Sequence, residues 1–206
     1  MPSADRIYLC HCHDEKAPGK TVDGWSERRL ATVVNEALCL TLRDGGPGES
    51  IWPILRGTLA SRISTLRELP VAPVVEVHFD SLDSRPEVDG YFVIVSETNR
   101  EAHLLGEAVL SGIGRAFPLR RNMGLCKANE AHRWVGTNRQ YDGQRLALLC
   151  DLPHHASVIV EACFLTNPEA FEWIQKIESR LLLGAAIGRG ILDYCQSRNA
   201  QLCPKP

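Results

Sequence analysis

A chain of 206 residues is the size of one domain, and with 44% hydrophobic residues against only 6% aromatic it has material for a mainly aliphatic core. A formal net charge of −2 carries no electrostatic footprint for nucleic acid, no apolar run of about 18 residues is present to span a bilayer, and the opening MPSADRIYLC lacks the basic region and long apolar run of a secretion signal. Of the eight cysteines, Cys39, Cys150 and Cys163 fall inside apolar segments, which favours buried free thiols in a reducing, cytoplasmic compartment over disulfides.

In chain order, Ile7, Tyr8, Leu9 and Cys10 form a short apolar run suited to an interior strand, which delivers His11 and His13 where strand gives way to loop. On a strand these two histidines point to the same face, so the residues alone leave the choice between them open. Ser26 is the expected N-cap of a helix in which Leu30, Val33, Val34, Ala37, Leu38 and Leu40 to Leu42 recur at helical spacing until Gly45 and Gly46. Glu27 then lies in the first turn, where the helix dipole favours a carboxylate, aimed back toward the loop after the first strand. SIWPILRG predicts a short strand, TLASRISTLREL a helix ended by Pro70, and VAPVVEVHFDS a β-branched strand carrying His78 near its C-terminal end.

GYFVIVS predicts a further strand, and a helix follows from about Asn99 to Phe117 with Leu104, Leu105, Ala108, Val109, Ile113 and Ala116 as its apolar stripe. Residues Pro118 to Gln144 show little periodicity and carry Arg120, Arg121, Asn122, Lys127, His132, Arg133, Trp134 and Arg139, so they read as a long irregular segment over a functional site. LALLCDL and ASVIVEACF supply the last strands, and EAFEWIQKIESRLLLGAAIGRGILDYC a helical C-terminus in two pieces. The expected fold is α/β: a single domain over residues 1–206, with a mostly parallel twisted sheet of about six strands and helices on both faces.

The stretch VIVEACFLTNPEAF sets Glu161 at the polar end of a strand that otherwise reads as buried. An ionised carboxylate without partners is costly to desolvate, so it needs a cation, a hydrogen-bond network or a catalytic task, unless it simply turns to solvent. In an open α/β sheet, ligands gather at the carboxyl ends of strands, where the ends carrying a histidine, His78 and Glu161 would meet the helix start at Glu27. Two imidazoles and a carboxylate leave one position of a zinc ion open for water, with Glu161 as a fourth group acting as base.

These segments, in this order, resemble the zinc-dependent N-acetylmuramoyl-L-alanine amidases of the amidase_3 family, which cut peptidoglycan between the muramic acid lactyl group and L-alanine. IYLCHCHDE matches the family's Gly-His-Gly-Gly type loop with His13 in the metal-binding place, and Gly24 to Glu27 match its Gly-x-x-Glu pattern. Glu76 to Asp80 correspond to Ser-x-His-x-Asn, and Val160 to Asn167 to Val-Glu-x-Gly-Phe-Leu-Ser-Asn. The resemblance implies Zn²⁺ held by His13, Glu27 and His78, Glu161 as catalytic base, and peptidoglycan or a muropeptide as substrate. It also assigns roles by position only: Cys10, His11 and Cys12, the pair Asp14 and Glu15, and Glu76 and Asp80 all depart from the family pattern. No cell-wall-binding module is visible. An amidase synthesised in the cytoplasm would reach the wall as a phage-type endolysin, by another export route, or would act on imported muropeptides.

Two other classes stand beside this reading. A cysteine hydrolase would use Cys10, Cys12 or Cys163 as nucleophile, which requires a thiol of lowered pKa. A noncatalytic protein would bind a structural metal through Cys10, His11, Cys12 and His13, although adjacent strand residues point to opposite faces.

Overall fold

The computed structural model describes residues 6–45, 54–127 and 146–202. In chain order the first elements are β1 (Tyr8–His11), β2 (Thr21–Val22), β3 (Trp25–Ser26), α1 (Glu27–Gly45), α2 (Leu59–Glu68) and β4 (Val74–Asp80). They are followed by β5 (Tyr91–Val95), α3 (Arg100–Ala116), β6 (Asn122–Lys127), α4 (Ala147–Cys150), β7 (Ser157–Phe164), α5 (Pro168–Gln175) and α6 (Ile177–Leu202). The helix starts obey local capping chemistry. Thr58, Asn99 and Asn167 each accept a hydrogen bond from the backbone N–H three residues on, and Pro168 occupies the first turn of α5, where its missing N–H is not needed.

The sheet has the strand order β1-β4-β7-β5-β6, parallel throughout except where β5 meets β7 antiparallel. Its two faces follow from the alternation of side chains along each strand. Val75, Val77 and Phe79 of β4 and Val158, Val160 and Ala162 of β7 face a core built with α1, α3, α5 and α6. The opposite face carries Val74 and Ile159 into a second core with Ile63 and Leu66 of α2 and Leu148 and Leu149 of α4. α6 approaches α3 closely because glycine lines the contact: a Cβ on Gly112 would meet the Ala186 carbonyl, and one on Gly190 the Ala108 carbonyl. Among the described residues no helix is long and apolar enough to cross a membrane.

The α/β class, the mostly parallel sheet and the helices on both faces agree with expectation; the strand inventory differs in four places, one being the short β2–β3 hairpin ahead of α1, where no strand was expected. Among the described residues the main sheet has five strands, against about six expected. Within SIWPILRG, residues 50–53 lie outside the described residues and Leu55 makes only an isolated bridge to Cys10. LALLCDL holds the single turn of α4 instead of a strand, since a short apolar run without period satisfies either geometry and burial of Leu148, Leu149 and Leu152 against α2 and β7 selects the helix. The segment read as irregular from Pro118 contains β6, an edge strand whose half-exposed residues carry too weak an apolar signal to be seen. Residues 128–145, which include His132, Arg133, Trp134 and Arg139, lie outside the described residues.

Candidate active site

The carboxyl ends of β1, β4 and β7 and the start of α1 meet on the α2 and α4 side of the sheet. Glu27 is brought there by the small β2–β3 hairpin, whose Asp23 and Gly24 both take positive φ (46° and 77°), the turn that an Asp-Gly pair makes at low cost. The chain returns beside the loop after β1, with Glu27 N–H donating to the Lys20 carbonyl at 2.8 Å and Arg28 N–H to the Pro18 carbonyl at 3.1 Å. Ser26 Oγ accepts from Arg29 N–H at 3.3 Å, as expected of the residue preceding the helix.

Both oxygens of the buried Glu27 carboxylate face imidazoles. Oε1 lies 2.7 Å from Nδ1 of His78 and accepts the Phe79 N–H at 3.2 Å; Oε2 lies 2.9 Å from Nε2 of His13 and accepts the Lys20 N–H at 3.3 Å. The two rings meet edge to face with centroids 5.0 Å apart. Burial alone would raise the Glu27 pKa, but the His13 and His78 hydrogen bonds outweigh it and bring it to about 2. For His78 burial acts downward, and the Glu27 and Glu76 carboxylates override it to hold the pKa well above the usual histidine value. Gly19 keeps this space open. Its φ is +78°, and a Cβ there would lie 2.5 Å from Glu27 Oε2 and 2.6 Å from the His13 ring, so a side chain would displace both groups.

Glu161 sits directly across from His78 in the β4–β7 register. Its Oε2 is buried with no hydrogen-bond partner. Burial drives its pKa well above the carboxylate range, opposed by His78 and reinforced by Asp80, Glu27 and Glu76. Beside these residues opens a cavity of about 430 Å³, lined by His13, Leu59, Arg62, Glu76, His78 and Leu148 among others, within the size range of small-molecule sites.

His11 and His13 do not share a face. β1 ends at His11, and His13 lies beyond it with a φ of 57°, so strand alternation no longer applies. The buried His11 ring turns to α1: Nδ1 donates to the Cys12 carbonyl at 2.7 Å and Nε2 lies 2.9 Å from the Thr32 hydroxyl. Cys10 packs in the opposite core from His11, which separates the set Cys10, His11, Cys12 and His13. Cys12 does approach the centre: its Sγ and donor atoms of Glu27 and His78 all lie within 4.8 Å of one another. Burial, followed by the charges of Glu27, Glu76 and Glu161, pushes the Cys12 pKa well up, and burial does the same to Cys10 and Cys163. A thiol held protonated is a poor nucleophile, so the geometry gives the cysteine hydrolase reading no support.

Two residues of the centre were not singled out from sequence. Glu76 was visible there only as a departure from the family pattern, though strand alternation puts it on the same face as His78. Arg62 gave no signal, since its place beside Glu76 depends on how α2 packs on the sheet. Of the basic residues in the segment after Pro118, Arg120 pairs with Asp89 at 2.6 Å and covers the Trp173 ring at 4.1 Å, a packing role.

The Amidase_3 family model, described as N-acetylmuramoyl-L-alanine amidase, matches residues 7–193. No curated protein matches the chain. Solved structures of similar fold include the N-acetylmuramoyl-L-alanine amidase AmiC2 of Nostoc punctiforme, at 21% identity and a TM-score of 0.76 over 95% of this chain and 99% of that one. The CwlD amidase from Clostridioides difficile, solved in complex with the GerS lipoprotein, gives 15% identity and a TM-score of 0.75 over 93% and 98%. The catalytic domain of CwlV, an N-acetylmuramoyl-L-alanine amidase from Bacillus (Paenibacillus) polymyxa, gives 13% and 0.68 over 92% and 97%. At these identities the structural likeness is one of fold.

Proposed function

The chain belongs to the Amidase_3 family of N-acetylmuramoyl-L-alanine amidases, and from that premise we propose that it is a zinc-dependent enzyme hydrolysing the amide between N-acetylmuramic acid and L-alanine in peptidoglycan. The observation that carries the reading is the convergence of His13 and His78 on the two oxygens of one buried carboxylate, Glu27, with the unpartnered Glu161 oxygen on the adjoining strand. Two imidazoles and a carboxylate fit zinc in donor type and number, with Gly19 leaving them room. Bound there, zinc would lower the pKa of a water molecule toward neutrality and polarise the scissile carbonyl. Glu161 is the base in this scheme. Its carboxylate takes a proton from the attacking water and, as a carboxylic acid of raised pKa, returns it to the departing alanine nitrogen.

The products test the reaction. Digestion of purified peptidoglycan is expected to release new free amino groups on L-alanine without new reducing sugar ends, to stop on chelation and to resume on adding zinc; new reducing ends would overturn the assignment. The proximity of Cys12 to Glu27 and His78 supports a second ligand set, in which its thiolate replaces His13. Zinc affinity separates the two. With His13 as ligand, His13→Ala weakens zinc binding sharply and Cys12→Ser leaves it close to wild type; the reverse pattern would install Cys12 in its place.

A further inference from the structure

We propose that Glu76, held in place by Arg62, is the positioning residue for His78: it keeps the proton on one ring nitrogen of His78 and turns the other, with its lone pair, toward the metal site. The inference rests on the reading of His13, Glu27 and His78 as a metal centre. A neutral imidazole carries a single N–H, so a histidine that binds a metal through one nitrogen must place its proton on the other. Nδ1 of His78 faces the Glu27 carboxylate at 2.7 Å, on the side of the other ligands, and Nε2 lies 2.9 Å from Oε1 of Glu76. As the residues stand, Nδ1–H donates to Glu27; a metal taking that proton's place would leave the single ring proton on Nε2, donating to Glu76. A carboxylate accepting from a ligating imidazole fixes its tautomer and orientation and raises its donor strength.

The setting of Glu76 suits this task and no simple structural one. Glu76 precedes His78 by two residues on β4, and so shares its face of the sheet. Arg62 reaches down from α2, donating from Nη2 to the same Oε1 at 2.9 Å and from Nη1 to the Gly57 carbonyl at 2.6 Å. Both side chains are only 3% exposed. A pair serving stability alone would gain from two-point contact, yet here one oxygen serves both Arg62 and His78, while Oε2 of Glu76 and Nε of Arg62 are buried without partners. Taking both charges out of water is costly, and buried ion pairs of this kind are often no more stabilising than apolar groups of the same shape. What the pair does supply is a fixed anion at the far nitrogen of His78. Its Oε1 lies between the guanidinium and the ring, 2.9 Å from each. The chain has thereby brought a charge to a position where the family pattern that it otherwise resembles has serine.

The test is the zinc affinity of the purified full chain, read by competition with a chromophoric chelator, beside the melting temperature of the metal-free protein. Glu76→Gln keeps the shape and an acceptor oxygen but removes the charge; because it leaves Arg62 buried and unpaired, the double variant Arg62→Met with Glu76→Gln accompanies it. Both variants are expected to bind one zinc at saturation with affinity roughly 10- to 100-fold weaker, the usual effect of removing such an outer partner. The double variant should melt no lower than wild type. Wild-type affinity in a folded double variant would overturn the inference, as would a lowered melting temperature with affinity unchanged, which marks a structural pair. Failure of either variant to bind zinc even at saturation would make Glu76 a ligand instead. A wild-type chain that binds no zinc overturns the metal-centre reading itself, whereas tight wild-type binding with unaltered variants overturns this inference alone.

Discussion

Glu161→Gln is expected to leave the protein folded and zinc-loaded while turnover falls by roughly 10²- to 10⁴-fold, the contribution of a positioned general acid or base. The amide keeps the size of the side chain but cannot accept the proton of water. Stability should move little, or upward. Wild-type Glu161 already holds a buried oxygen without a hydrogen-bond partner, and burial opposes its ionisation, so the fold tolerates an unfavourable group at this position. Replacing a group kept for function rather than stability is commonly neutral or stabilising. Comparing the initial rate of amide hydrolysis, zinc content and melting temperature in one preparation decides the matter: turnover at the wild-type rate would remove Glu161 from the chemistry.

His78→Ala should behave in the opposite way, losing zinc, activity and stability together. His78 bridges two buried carboxylates, Glu27 at 2.7 Å and Glu76 at 2.9 Å. Removing it leaves Glu76 with Arg62 and Glu27 with His13, so part of each partnership survives. Breaking a buried pair by deleting one partner typically costs about 3–5 kcal/mol. At roughly 2–4 °C per kcal/mol for a chain of this size, the metal-free melting temperature should drop by about 6–20 °C. Zinc measured by atomic absorption on the folded fraction should be close to zero. Retained zinc at full occupancy would exclude His78 from the ligand set, and an unchanged melting temperature would mean that the three-residue contact contributes nothing to the fold.

Periodicity, with the expected cap at Ser26, was enough to locate most of the architecture. The apolar runs at Tyr8, Val74, Tyr91 and Ser157 became strands, and α2, α3 and α5 begin at Thr58, Asn99 and Asn167 because those side chains satisfy the first free N–H groups of each helix. Such signals are local, carried by residues adjacent in the chain, and so they can be read without the fold. The candidates His13, Glu27 and His78 could be picked out for a related reason: ligands gather at the carboxyl ends of strands, and these three stand at or near the end of an element, whereas Glu161, expected at a strand end, lies three residues inside β7.

Tertiary structure alone decided what depends on contacts between distant residues. Alternation suggested one face for His11 and His13, but the strand ends at His11 and a left-handed residue at 13 redirects the chain, so one ring packs against α1 and the other meets Glu27. α4 and β6 were misread because their apolar content is short or half-exposed, and only packing against α2 and pairing with β5 select their conformations. Arg62 is the plainest case. On a helical wheel it is one more basic residue of α2, and its burial against Glu76 exists only because the helix lies across the sheet. The sequence by itself thus determined which elements form and which residues stand at their ends, since propensity, capping and period act over a few neighbours. Which side chains touch, which charges are buried and which nitrogen of His78 faces Glu27 were determined by the assembled sheet, because desolvation and hydrogen-bond geometry exist only once residues 14, 51 and 83 positions apart are brought together.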